Sequence, residues 1–104
     1  MSTIQARNVN HPDHQENLKE EKYKLIREAI LASLPDNSST DGMTFSQLEE
    51  KVRAHLTDRG TPMTLFPKPG SVRWYTKAVQ LDLEARELIE RVPNQSPLRL
   101  RKVG

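Results

Sequence analysis

The stretch from Ser71 to Val103, SVRWYTKAVQLDLEARELIERVPNQSPLRLRKV, constrains the fold more than any other part of the chain. Pro69-Gly70 breaks whatever precedes it, and Ser71 is a favourable N-cap for a helix over 71–86. At 100° per residue, Arg73, Lys77, Gln80 and Glu84 fall within about 60° of one another, a narrow polar stripe. Val72, Tyr75, Val79 and Leu83 make an apolar face on one side of it, and Trp74, Ala78, Leu81 and Ala85 a second face on the other. A helix apolar over more than half its circumference is wrapped by other elements, so this is expected to be the central helix. Leu88-Ile89 then begin a short apolar strand, followed by a proline-bounded loop and a basic strand. Alternation in that second strand points Leu98 and Leu100 inward and Arg99 and Arg101 outward.

Upstream, the pattern supplies a core for this unit. Residues 1–16 are polar and aperiodic and are expected to be a flexible N-terminal arm, with the folded domain spanning 17–104. His11 and His14 stand three apart, but with no second ligand cluster they predict no metal site. From Asn17 to Leu34, Leu18, Lys22, Leu25, Ile26, Ala29, Ile30 and Leu34 recur at steps of three and four, the mark of an amphipathic helix that Pro35 ends. Met43-Thr44-Phe45 reads as a minimal strand. Ser46-Gln47-Leu48-Glu49 matches a capping box, and Phe45, Leu48, Val52 and Leu56 give the second helix its buried side, with Gly60 as its stop. His55 lies beside that face as a half-exposed helix residue. The segment TPMTLFPKPG carries three prolines that forbid regular structure. Its Met63, Leu65 and Phe66 are too apolar for water, so they either fold back on the domain or, with Trp74, form a partner surface.

Composition excludes several function classes. Without cysteine there are no disulfides and no thiolate chemistry. No apolar run approaches the roughly 20 residues of a membrane span, and a signal-peptide core is absent, so a cytoplasmic location is expected. A mean hydropathy of −0.74 allows only a small core in 104 residues. No phosphate-cradling glycine loop, metal-ligand cluster or nucleophile–base pair is present, so neither catalysis nor a cofactor is expected.

The net charge of +2 matters less than its distribution. After Glu90 there is no acid, while Arg91, Arg99, Arg101 and Lys102 remain, so the hairpin is the electropositive end. Arg73 and Lys77 are like charges one turn apart, and both oppose the helix dipole. Local stability would not choose that pair, which makes an anion on that face a reason for it. Asp82 interrupts the buried side four residues before Arg86, as an ion-pair partner or an acceptor for a buried donor.

Taken together, helix, short strand, capped helix, long helix and basic hairpin predict an α+β fold, mainly helical: three helices plus a C-terminal wing. That order resembles the winged helix-turn-helix superfamily. LDLEARELIERV is similar to the segment that ends the recognition helix and starts the wing in bacterial repressors such as the multiple-antibiotic-resistance regulators. The shared residues are Leu83, Glu84, Leu88, Ile89 and Arg91. With FPKPGS and WYTKAVQLDLEAR included, the chain looks most like a small bacterial family of winged-helix domains without assigned function.

Two departures stand out. Glu87 occupies the position where the repressor pattern has glycine. Either the helix runs on, or a left-handed turn there costs of order 1–2 kcal/mol. The connection between the second and third helices also exceeds the three to four residues of a strict helix-turn-helix. The resemblance implies a transcriptional regulator or accessory factor whose 71–86 helix and 88–103 wing face double-stranded DNA. Arg73, Lys77 and Gln80 would then meet bases or phosphates, and Arg99, Arg101 and Lys102 the backbone. The alternative is a winged-helix module that binds proteins, as a homodimer or with another partner, through Met63, Leu65, Phe66 and Trp74.

Overall fold

The computed structural model describes residues 3–7, 15–38, 41–68, 70–93 and 97–103; within these, the side chains of residues 15–18 and Met63 lie outside the description. The chain is α+β. A hairpin of β1 (Thr3–Arg7) and β2 (Gln15–Lys19) leads directly into α1 (Glu20–Ser33). After β3 (Met43–Thr44) come α2 (Phe45–Asp58), a 3₁₀ turn at Met63–Leu65, α3 (Ser71–Ala85), β4 (Ile89–Arg91) and β5 (Arg99–Lys102). The last three strands form one antiparallel sheet in the order β3-β5-β4, with Met43 opposite Leu100 and Glu90 opposite Arg101.

The first correction to the sequence reading lies at the N-terminus. Thr3–Arg7 and Gln15–Lys19 pair as strands where a flexible arm is expected, and α1 begins at Glu20 instead of Asn17. Ala6 is buried against the core and the hairpin packs on α3, so this strand is held by tertiary contacts rather than by its own propensity. His11 and His14 lie outside the described residues.

Each helix has a local reason to start and stop. Glu20 and Glu21 sit in the first turn of α1, where the helix dipole favours acids. Leu34 closes α1 by donating its N–H to the Ile30 carbonyl. The Pro35 carbonyl then accepts the Lys102 N–H at 2.8 Å, tying the end of α1 to the end of β5. The capping box of α2 is built from Thr44 and Gln47, not from Ser46 and Glu49: Gln47 N–H donates to the Thr44 hydroxyl at 3.2 Å, and the Gln47 side chain accepts from Thr44 N–H at 3.0 Å. At the far end Gly60 takes the left-handed conformation and Thr61 N–H reaches back to Leu56, a Schellman stop. The N-cap of α3 is Gly70 in the left-handed conformation; Ser71 is the first helical residue.

Among the described residues Glu87 alone adopts a left-handed backbone without being glycine, at φ 62°. Its N–H donates to the Glu84 carbonyl and the Leu88 N–H to the Leu83 carbonyl, the same Schellman pair that ends α2. The turn therefore keeps the geometry glycine favours while carrying glutamate.

The core runs through α1, α2, α3 and the sheet. Ile26, Ile30, Leu48, Leu83, Ile89 and Leu100 are among its largest fully buried side chains, each of a kind whose truncation to alanine costs about 2–5 kcal/mol. Helix α3 touches α1, α2, β1 and β4, so it is central. It is not fully wrapped, however: Trp74 is 51% exposed. Gly42 precedes β3 with φ +65°, and a Cβ there would stand 2.7 Å from the Val92 side chain, so the crossing of the hairpin over this turn requires glycine.

Candidate functional site

A cleft of about 570 Å³ opens where the start of α3 meets the β3–α2 junction and the residues leading into β5. Arg73, Trp74 and Lys77 come from α3, Phe45 and Ser46 from α2, and Pro97 and Leu98 from the hairpin. The Phe45 ring lies beneath both cations, with the Lys77 ammonium 4.9 Å and the Arg73 guanidinium 5.1 Å from its centre. Such contacts stabilise a cation by ~0.5–1 kcal/mol at exposed sites and offset part of the like-charge repulsion. Arg73 also donates to Glu49 at 2.7 Å, and Glu49 holds Arg53 one turn further on. Burial opposes ionisation of Glu49, but the bonds from Arg73 and Arg53 outweigh it and keep that carboxyl below its ordinary range.

Lys77 stands half-buried. Burial pushes its ammonium down, Glu84 pulls it up, and Arg91 and Arg73 push it down further, leaving it below the ordinary lysine value. Its Nζ donates to Gln80 at 3.3 Å, the Gln80 amide donates to Glu84 at 2.8 Å, and Arg91 closes the row on the same carboxylate. Gln80 is fully buried and Glu84 nearly so. The polar stripe expected on display is thus exposed at Arg73, half-covered at Lys77 and interior beyond. Gln80 cannot reach a base edge from this position, which overturns its expected role. A buried amide must be hydrogen-bonded, and Lys77 and Glu84 serve it on either side.

The wing residues divide similarly. Arg101 is bonded to Glu90 opposite it at 2.6 Å, while Arg99 donates to the Asp41 carbonyl at 3.4 Å. Lys102 is half-buried, and its backbone is committed to Pro35. Of the expected partner surface, Phe66 is buried and Leu65 packs on the core, so the proline-rich loop folds back on the domain. Met63's side chain lies outside the described residues. Trp74 alone of the remaining three stays open, its ring edge-to-face with Tyr75 at 5.0 Å, and Tyr75 stands likewise on Phe66 at 5.5 Å.

At the other end of α3, Asp82 plays both expected roles. It is fully buried, pairs with Arg86 at 2.9 Å, accepts the Tyr23 hydroxyl, and accepts the Arg7 backbone N–H at 2.7 Å. Burial first, then the bond to Asp82, pushes the Tyr23 phenol up to about 12. Arg86 also donates to the Gln5 carbonyl, so α3 occupies two groups on the outer edge of β1. The cluster joins α3 to α1 and β1, and none of its members lines the cleft.

Sequence reasoning missed Phe45 and Glu49 as members of the site. Both were assigned to α2 itself, one as core and one as cap. Arg73 lies 24 residues from Glu49, and no local pattern signals such a pair. Among the described residues no group of three or more histidines and carboxylates could hold a metal. Nor is any helix there long and apolar enough to cross a membrane.

The described residues therefore form an α+β domain of three helices, an N-terminal hairpin and a small three-stranded antiparallel sheet, with a cation-lined aromatic cleft at the start of the central helix. The family of unknown function DUF6958 matches residues 3–100, and the chain belongs to that family. Neither the curated proteins nor the solved structures give a match.

Proposed function

We propose that this is a winged helix-turn-helix domain that binds nucleic acid through the start of α3 and the β4–β5 wing, as a cytoplasmic regulator or accessory factor rather than an enzyme. The observation that carries the reading is the pair Arg73 and Lys77, held side by side over Phe45 at the mouth of an open cleft. Two cations in the first turns of a helix raise the energy of the free protein and lower it when an anion arrives. The order of helices and strands supports the winged-helix reading, since β3 falls between α1 and α2 and pairs with the last strand. Contacts would go mainly to phosphates: Arg73 and Lys77 from α3, Arg99, Arg101 and Lys102 from the wing. With Gln80 interior, little remains for reading base edges in a major groove.

Fluorescence anisotropy of labelled duplex DNA at about 50 and 200 mM salt tests this. If five cations reach phosphates, the log–log salt slope is about −4.5. Lys77→Ala with Arg101→Ala should lower affinity across all sequences. Binding indifferent to salt and to both substitutions would sink the proposal. The open ring of Trp74 favours a second reading, a protein-binding surface centred on that residue. Salt-insensitive self-association lost in Trp74→Ala would select it.

A further inference from the structure

We infer that the cleft beside Trp74 takes an unpaired nucleobase, so that the preferred ligand is single-stranded nucleic acid, or a strand with an unstacked nucleotide, rather than an intact duplex. This deepens the nucleic-acid reading and rests on it.

Three observations carry the inference. The first is what α3 has left to offer. With Gln80 fully buried between Lys77 and Glu84, the start of the helix offers exposed Arg73 and Trp74 and half-covered Lys77. Two cations seated on Phe45, with an open indole on the same turns of the helix, lack the amide used to read adenine, and they match the composition of sites that track a single strand by charge and stacking. The second is shape. The cleft is open to solvent and holds about 570 Å³, within the ~300–1,000 Å³ range of small-molecule sites. Its apolar lining is Phe45, Trp74, Pro97 and Leu98, and its two cations lie over the Phe45 ring. A flat base fits between apolar walls of this kind while its phosphate remains within reach of Arg73 and Lys77. A paired base inside a duplex cannot enter a cleft. The third is rigidity. Trp74 stands edge-to-face on Tyr75, at 83°, and Tyr75 on Phe66, which belongs to the core. A half-exposed indole braced in this way loses little freedom when a base stacks on it, so most of the contact energy appears as affinity.

Trp74 is the only tryptophan in the chain, so intrinsic fluorescence reports on this one ring. The full chain is titrated at about 50 mM salt with a twelve-nucleotide oligothymidylate, an abasic strand of the same length and charge, and a twelve-base-pair duplex. The expected result is saturable quenching by oligothymidylate, with the abasic strand and the duplex each at least about tenfold weaker. In anisotropy with a labelled strand, Trp74→Ala should weaken binding by about tenfold and Trp74→Phe much less, since phenylalanine still stacks. Lys77→Gln should reduce the salt slope by about 0.7. Circular dichroism melts of the variants separate lost binding from lost fold, and Trp74→Phe carries the test if the alanine variant fails to fold. Duplex binding as tight as strand binding, with unchanged Trp74 emission, would overturn this inference and leave the broader nucleic-acid reading standing. Equal affinity for the abasic strand would do the same. No binding to any of the three would overturn both, and fluorescence changes on self-association alone would transfer the cleft to a protein partner.

Discussion

Replacing Glu87 by glycine is expected to stabilise the domain, and the geometry allows the size to be worked out. Glu87 holds φ 62° at the position after the α3 C-cap, where its N–H and that of Leu88 close the Schellman pair. A non-glycine residue in this conformation costs ~1–2 kcal/mol. Glycine returns ~0.4–1 kcal/mol of that through the greater freedom of the unfolded chain. A carboxylate at a helix C-terminus is unfavourable by a further ~0.3–1 kcal/mol, which the substitution also removes. The net gain is about 1 kcal/mol, or roughly 4–8 °C in Tm for a domain near this size. Thermal melts followed by circular dichroism measure it. Glu87→Ala isolates the conformational part, because alanine loses the carboxylate but keeps the Cβ. Glycine should exceed alanine by ~0.5 kcal/mol, the part of the gain that the carboxylate does not supply; if the alanine variant melts as high as the glycine variant, left-handed strain is not what this turn stores.

Three further outcomes are expected. Asp82→Ala strands the Tyr23 hydroxyl, the Arg7 amide and the Arg86 guanidinium together, and should cost about 3–5 kcal/mol in urea unfolding; a loss under 1 kcal/mol would contradict its place as the hub. Because the Tyr23 phenol is raised to about 12, the fold favours its protonated form. That contribution is complete below pH 10 and lost as pH rises through about 12. Absorbance at 295 nm should show a late tyrosine step that Tyr23→Phe abolishes. Finally, Glu49→Gln removes the carboxylate that holds Arg73, and should strengthen oligonucleotide binding and steepen its salt slope by up to about 0.7; weaker binding would mean that the pair positions Arg73 instead of restraining it.

How far the chain was legible depended on whether its signals were local. Periodicity located α1, α2 and α3, and the Leu88-Ile89 and Leu98–Arg101 pattern located the hairpin. The apolar loop at Leu65 and Phe66 returned to the core because it could not remain in water. Two registers of one pattern, Thr44–Gln47 and Ser46–Glu49, both satisfy the capping rule, and only the pairing of β3 with β5 selects the first. β1 was missed because TIQAR has too few apolar residues to declare a strand; beyond its pairing with β2, what holds it on the domain comes from residues more than seventy positions away. The same distance problem hid the interior of the α3 stripe. A helical projection treats Gln80 and Glu84 as solvent-facing by residue type, and it has no means of knowing that Arg91 will fold back over them.

The Asp82 cluster also sets an order of events. Arg7 leaves the ribosome 75 residues before the carboxylate that receives its amide, and Gln5 leaves 81 before the guanidinium that caps its carbonyl. The earliest strand must therefore wait, unsatisfied on its outer edge, until α3 has been made and turned toward it. Until then Asp82 has Arg86 but neither the Arg7 amide nor, unless α1 has docked, Tyr23. Without β1 that carboxylate lacks the Arg7 donor. The N-terminal strand is the first element to be synthesised, and its partners around Asp82 are among the later ones.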